Sequence, residues 1–284
     1  PAGTGTVDVT VTQGSESDTL AGAFEYTAAV AWTPADTTTA LWLDADDSAT
    51  ITESGGALSR WGDKSGAVHD FEQLTSASQP TTGASTINGK NVIAFDADYL
   101  TSVDAESTWE FMNDATGFTF YGVLEAGNVA DPNDLHAIVG NNDGTVLNEG
   151  MYIRYEDRSG FSDSVIHVSG SSSANQINIG HQSDNTLPAQ TPTIFSVIGD
   201  PNLARADRSD HFKNATDQNA TDEFANSNVI PGTPTFKLDL GGAGNGKWPF
   251  VGKMAEIVIV PGSLSADDND RMVGYLAHKW GLEA

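Results

Sequence analysis

The sequence predicts an all-β fold with long loops and a single C-terminal helix. Three observations predict it. Apolar and polar residues alternate in run after run, as they do along half-buried strands. The runs are separated by segments rich in glycine, asparagine, aspartate and serine, the residues that turns demand. Only one stretch, near the C-terminus, carries apolar residues at helical spacing. A chain of 284 residues is long enough for one large all-β domain or two smaller ones. At that length folding buries about 75% of the extended surface, so a stable core needs no covalent staples.

Taken in order, "TVDVTVT" places Val7, Val9 and Val11 on one face of a strand. "TALWLDA" at 39–45 is more continuously apolar and reads as a buried strand. Asn88-Gly89, between Ile87 and Val92, signals a tight hairpin. "GFTFYGVLE" directs Phe118, Phe120 and Leu124 to one side, and "MYIRYE" does the same with Met151, Ile153 and Tyr155. "TIFSVIG" at 193–199 resembles the buried runs, "TFKLDL" alternates Phe236, Leu238 and Leu240, and "EIVIV" at 256–260 belongs deep inside a sheet. From Ser265 the period changes to that of a helix, with Met272, Val273, Leu276, Ala277 and Trp280 forming the stripe. Ser265 and Asp268 are spaced as a capping box, acids fill the first turn, His278 and Lys279 the last, and Gly281 supplies the cap. This helix is expected to close the sandwich.

Charge is the strongest compositional signal: 39 acidic against 13 basic residues leave a formal net charge of −26. Nucleic acid is a poor partner for such a surface. The acids are spread along the chain and read as a solvating coat suited to salty water; binding of calcium by some of them is the alternative. The absence of cysteine excludes disulfides, thiolate metal sites and cysteine nucleophiles, and leaves the redox compartment open. No run of eighteen apolar residues is present to insert in a membrane, and "PAGTG" lacks the basic-then-apolar pattern of a leader, so the chain reads as a mature or excised segment.

"GGAGNGKW" at 241–248 carries most of a phosphate-binding loop. Such a loop needs serine or threonine after the lysine and a helix N-terminus facing the phosphates. Trp248 and Pro249 follow Lys247 instead, and a strand comes next. The four glycines, Gly241, Gly242, Gly244 and Gly246, read as a flexible turn between strands.

Three blocks, "LWLDADDSATITESGGALSRWGDKSG", "INGKNVIAFDADYLT" and "FVGKMAEIVIVPGSLSADDNDRMVGYLAHKWGL", resemble successive parts of the LamG-like, concanavalin A-like jelly-roll domains of bacterial surface and phage virion proteins. The likeness runs from about Thr38 to Leu282, is most specific in the last block, and between about 126 and 230 consists only of alternating strands and loops. "GTVDVTVTQGSESDTLAGAFEYT" is similar to the last two strands of an IPT/TIG immunoglobulin-like domain. The expected organisation is an IPT/TIG-like hairpin or remnant at 1–28, a linker at 29–37 and a LamG-like domain at 38–284; the alternative is a hairpin packed on the main domain.

The resemblance implies a two-sheet antiparallel jelly-roll sandwich, concanavalin A-like, whose members mostly bind glycans or proteins, some with calcium, while a minority hydrolyse polysaccharides. Fold does not settle function, so each activity has to be sought in residues. Retaining hydrolysis needs two carboxyl groups about 5 Å apart, carried in such enzymes by alternating acids on one strand. Here the corresponding strand offers Glu256 alone, and Glu156 and Asp157 point to opposite faces. No G-x-S-x-G elbow occurs. His69, His136, His167, His181, His211 and His278 lack zinc spacing and read as surface or loop residues. No catalytic residue is assigned, and the chain is not read as an enzyme. The sequons at Asn214 and Asn219 matter only in a glycosylating host.

"DADDS" begins like a calcium loop, yet Ala49 and Gly55 stand where an EF-hand needs glycine and glutamate. A looser calcium site using Asp44, Asp46 or Asp47, or Asp96 and Asp98, is the alternative to solvent-facing acids; no other cofactor is expected. For sugar stacking the flat aromatics in loops are Trp109 and Trp248, with Tyr99 and Tyr152 behind them, whereas Trp42, Trp61 and Trp280 belong to the core. "WGDKSG" reads as a turn fixed by Asp63. The expectation is a non-catalytic module, extracellular, on a cell surface or on a virion, that recognises glycan or another surface component. The competing expectation is a structural module contacting neighbouring virion or filament chains.

Overall fold

The computed structural model describes residues 5–26, 32–114, 116–127, 135–144, 148–158, 161–169, 177–180, 187–200, 209–218, 221–225 and 233–283. The chain divides into two compact units, 1–33 and 34–284. The first contains an antiparallel hairpin of Gly5–Gln13 and Glu16–Tyr26 with a bulge after Val7. Alternation sorts its faces: Thr10 and Thr19 share a hydroxyl hydrogen bond of 2.8 Å on one side. Val9, Val11 and Leu20 stand on the other, 45%, 68% and 69% exposed, so the period-two pattern here does not mark a half-buried strand.

In the second unit eighteen described strands join into one continuous hydrogen-bonded network that folds back into two layers. The first layer is built around Val251–Pro261. Phe118–Ala126, Thr193–Gly199 and Ser209–Lys213 follow in turn on one side of it. On the other side Leu41–Asp44 pairs with its C-terminal half and Lys90–Asp96 with its N-terminal half. The second layer centres on the short strand Asp239–Leu240. Leu135–Gly140, Gly150–Arg158, Phe161–Ser169 and Ile177–Gly180 extend it one way. Leu100–Ser102, Phe71–Glu72 and Ala57–Trp61 extend it the other way. Thr81–Ile87 pairs with a strand of each layer and links them at one edge.

One core lies between the layers, with Leu41, Phe120, Phe195 and Ile257 from the first facing Trp61, Phe71, Met151 and Ile153 from the second. Burying such side chains from two inner faces is what stabilises a sandwich. The alternation in "GFTFYGVLE" understates its burial. Tyr121 and Val123, on the opposite face from Phe120, are also at 0% exposure, because the C-terminal helix Ala266–Trp280 covers the outer side of the first layer. The helix keeps its expected caps: Ser265 Oγ accepts from the Asp268 amide, and Gly281 adopts a left-handed φ of 64°. Met272, Leu276 and Trp280 are its buried stripe. Asn88 and Gly89 take φ values of 49° and 82°, as a type I′ hairpin requires, and Asn88 Nδ2 donates to the carbonyl of Trp280.

Asp63 organises "WGDKSG" as expected, its carboxylate accepting from the amides of Trp42, Ser65 and His69. "TFKLDL" contributes only Asp239–Leu240 as strand. Two histidines depart from the surface reading: His136 is 5% exposed, stacked on Tyr155, and His211 is at 0%, its Nε2 2.7 Å from Ser209 Oγ. The side chains of Glu156, Asp157 and His167, and all of His181 and Asn219, lie outside the described residues.

Candidate functional site

A buried polar cluster fastens the helix to the first layer. Glu256 is at 0% exposure, and its carboxylate accepts from Trp42 Nε1 at 2.7 Å, Tyr275 Oη at 2.8 Å and Trp280 Nε1 at 2.6 Å. Lys279 Nζ lies 2.8 Å from Glu256 and 2.7 Å from Asp44, and Lys64 Nζ lies 2.8 Å from both Asp44 and Asp47. The lone acid of the "AEIVIV" strand is therefore a saturated hydrogen-bond hub sealed from substrate. It has no second carboxylate poised beside it across an open cleft, as glycoside hydrolysis needs.

The same lysines decide the calcium question at "DADDS". Asp44 and Asp47 are held by Lys64 and Lys279, and Asp46 by Lys90 at 3.1 Å. The Lys64 ammonium holds the Asp47 carboxyl below its ordinary range. Three ammonium groups stand where a cation's charge would have to go, so these residues do not fit calcium. Asp96 and Asp98 adjoin each other, the Asp98 carboxylate accepting from the Asp96 amide at 3.2 Å. Burial and the neighbouring Asp96 charge raise the Asp98 carboxyl. Among the described residues no three His, Asp or Glu side chains converge to hold a metal.

The four candidate aromatics separate. Trp109 is at 0% exposure in the turn of 3-10 helix Glu106–Met112, its ring centroid 5.3 Å from His69 and 6.0 Å from Phe71, and its Nε1 donates to Ser102 Oγ. It has no face to offer a sugar. The other three gather on the outer face of the second layer. Along Gly150–Arg158, Met151, Ile153 and Tyr155 enter the core, which turns Tyr152 and Arg154 outward. Tyr152 is only 4% exposed, because the half-buried Trp248 covers it, ring centroids 5.0 Å apart and edge to face, with Ala137 and Ala243 completing a small satellite cluster; it too has no face to offer a sugar. Tyr99 packs against Gly246, where any Cβ would collide with its ring.

The glycine-rich segment 241–248 is thus a pinned hairpin laid on this face. Ala243 and Lys247 exchange backbone hydrogen bonds of 2.9 and 2.8 Å, and the Ala137 amide donates to the carbonyl of Trp248 at 2.8 Å. Gly246, at φ 71°, is the position where both the backbone and Tyr99 exclude a side chain. Asp239 anchors the hairpin from beneath. It is 1% exposed, and its carboxylate accepts from Thr101 Oγ1 at 2.7 Å and from the Gly246 amide at 2.9 Å. Burial, set against these donors, pushes its pKa up to about 6.

Beside the hairpin runs a groove of about 210 Å³ lined by Glu72, Gln73, Leu74, Tyr99, Thr101, Ser102 and Lys237. Lys237 Nζ donates to the carbonyls of Val103 at 3.1 Å and Ser102 at 3.4 Å. Leu74 is 81% exposed. An aromatic ring with an apolar neighbour, surrounded by amide, hydroxyl and ammonium groups, can stack the apolar side of a sugar ring and hydrogen-bond its rim.

Solved structures resemble the chain in fold. A chain of botulinum neurotoxin type C, whose cell entry depends on interaction with two ganglioside molecules, matches with a TM-score of 0.50 and 9% identity over 85% of this chain and 52% of that one. The fold is an all-β sandwich. The CBM40 of the Ruminococcus gnavus IT-sialidase, bound to α2,3-sialyllactose, matches with a TM-score of 0.43 and 11% identity over 62% of this chain and 90% of that one. The NanB sialidase of Streptococcus pneumoniae matches with a TM-score of 0.43, 13% identity and 63% coverage of this chain. The matched sandwich spans about a quarter of NanB, 27% of its length. Likeness at such identities concerns the fold alone. No family model and no curated protein matches the chain.

Lys237 and Glu72 were not singled out in the sequence, and no local signal marks them. Their place in the groove arises from the pairing of Phe71–Glu72 with Leu100–Ser102 and of the latter with Asp239–Leu240. Among the described residues no helix is long and apolar enough to cross a membrane.

Proposed function

We propose that the chain is a non-catalytic binding module, LamG-like in its 38–284 domain, that recognises glycan or another surface component outside a cell or on a virion. The preceding hairpin, on this reading, is the end of an IPT/TIG-like module. The observation that carries the proposal is the groove at Tyr99, where an aromatic ring and exposed Leu74 are set among polar groups beside a hydrophobically seated Trp248. The burial of Glu256 supports a non-catalytic role. Full-length chain on a glycan array, with Tyr99→Ala and Trp248→Ala as variants, tests the reading. Selective binding that falls at least tenfold in Tyr99→Ala, in protein that still melts cooperatively, is the expected result. A blank array from folded protein would refute it.

One observation favours the second reading, a structural module that contacts only protein neighbours. Val9, Val11 and Leu20 form an uncovered apolar face on a two-stranded ribbon, and a ribbon of two strands is marginal without a further layer. That reading predicts no glycan binding and stable association of the chain with its neighbours in the parent assembly.

A further inference from the structure

We infer that the ligand of the Tyr99 groove is an acidic polysaccharide, one carrying carboxylate or sulfate groups; the inference rests on the reading of that face as a glycan site. Carboxylates outnumber cations threefold in this chain, 39 to 13, so a lysine would ordinarily find an acidic partner. Arg60, Lys64, Lys90, Lys253 and Lys279 each do. Among the described residues Lys237, Lys247 and, on the helix, Arg271 have no carboxylate within ion-pair distance. Two of those three belong to the glycine-rich hairpin region on the outer face of the second layer, Lys237 just before the hairpin and Lys247 within it. Lys237 lines the groove with Tyr99, held by two backbone carbonyls that position the ammonium without neutralising it. Lys247 is exposed, its Nζ 5.3 Å from the centroid of the Trp248 ring.

Elsewhere the acidic coat repels an anionic polymer, but in about 0.15 M salt that repulsion decays over roughly 8 Å, whereas a lysine in contact with a bound anion is screened far less. Glu72 lines the same groove and opposes an anion, which confines the acidic group to the Lys237 side and leaves Glu72 to accept from sugar hydroxyls. A cation without a carboxylate partner, sharing a groove with an aromatic ring, is the arrangement that selects an acidic sugar over a neutral one.

The test is calorimetric titration of the full chain with four defined oligosaccharides: a polygalacturonate hexamer, a carrageenan hexamer, laminarihexaose and isomaltohexaose. At least one of the first two is expected to bind ten times or more tighter than both neutral probes. Which one binds tells carboxylate from sulfate. Lys237→Gln and Lys247→Gln are each expected to lose about tenfold in affinity for it, while Lys237→Arg retains it. Affinity of the unaltered chain is expected to rise and then fall with increasing salt, and the falling limb disappears when both lysines are replaced. If the neutral probes bind as tightly, and binding is lost in Tyr99→Ala but unchanged in both glutamine variants, the acidic-ligand inference is overturned and the glycan site stands. If folded protein binds none of the four, the acidic-ligand inference is overturned, and the glycan array alone decides whether the glycan site stands.

Discussion

Asp239 should make the hairpin over the candidate groove sensitive to acid. Its carboxyl moves from an ordinary 3.8 to about 6 in the folded protein, chiefly because burial disfavours the charge. At 1% exposure the group is shielded from solvent, and a displacement of that size corresponds to about 3 kcal/mol. Between about pH 4 and pH 6 the folded state holds the proton and the unfolded state has released it, so stability falls as pH rises through this window. Ionised Asp239 therefore costs about 3 kcal/mol at neutral pH relative to the protonated form, a net figure in which the hydrogen bonds from Gly246 and Thr101 already count against burial. Asp239→Asn preserves shape and an acceptor oxygen but cannot ionise. Chemical denaturation of both proteins at pH 4, 5, 6 and 7.5 should show the wild type gaining on the variant by about 3 kcal/mol as pH falls from 7.5 to 4. Parallel stability curves across that range would refute the assignment, because the buried carboxyl would then titrate as it does in the unfolded chain.

Glu256→Gln should cost about 3–5 kcal/mol, read from denaturation, because an amide cannot accept all three donors or neutralise Lys279. Release of reducing sugar from β-glucans that the substitution abolishes would contradict the structural role. Trp109→Ala should destabilise by about 3–5 kcal/mol through an internal cavity while leaving the ligand affinity of folded protein unchanged; selective loss of binding would place a ligand where the structure places core. Gly246→Ala should cost about 1–3 kcal/mol and weaken ligand binding by displacing Tyr99, measurable by melting and titration in parallel. EDTA should leave the melting temperature unchanged, since Lys64, Lys90 and Lys279 already hold Asp44, Asp46 and Asp47; a large fall would reveal a bound cation.

Local signals were sufficient for the elements and poor for the site. Asn88-Gly89, the cap residues Ser265 and Gly281, and the alternation of Met151, Ile153 and Tyr155 each act within a few residues, so their structural consequence is legible without tertiary information. The sandwich follows from them, because strands with one apolar face have to bury it against another sheet. Burial on the second face was not legible at Tyr121, nor exposure at Val9, since both depend on what is packed outside the strand. In the linear chain Trp109 reads as the better sugar-stacking candidate and Tyr99 as the lesser one, and the structure reverses that order.

What separated them was three-dimensional: strand pairing around Asp239–Leu240 brought Tyr99, Trp248 and Tyr152 to one face and set Lys237 beside them, while Trp109 turned into the core. The carboxylates of "DADDS" likewise met lysines 17 or more positions away in the chain, Lys64 and Lys279 among them. Sequence by itself determined the all-β class, the single helix with its caps and the acidic surface, because periodicity, turn chemistry and net charge are local or additive properties. Only the tertiary structure decided which charges are paired and which aromatics face solvent, because both depend on distances between residues that the chain order does not contain.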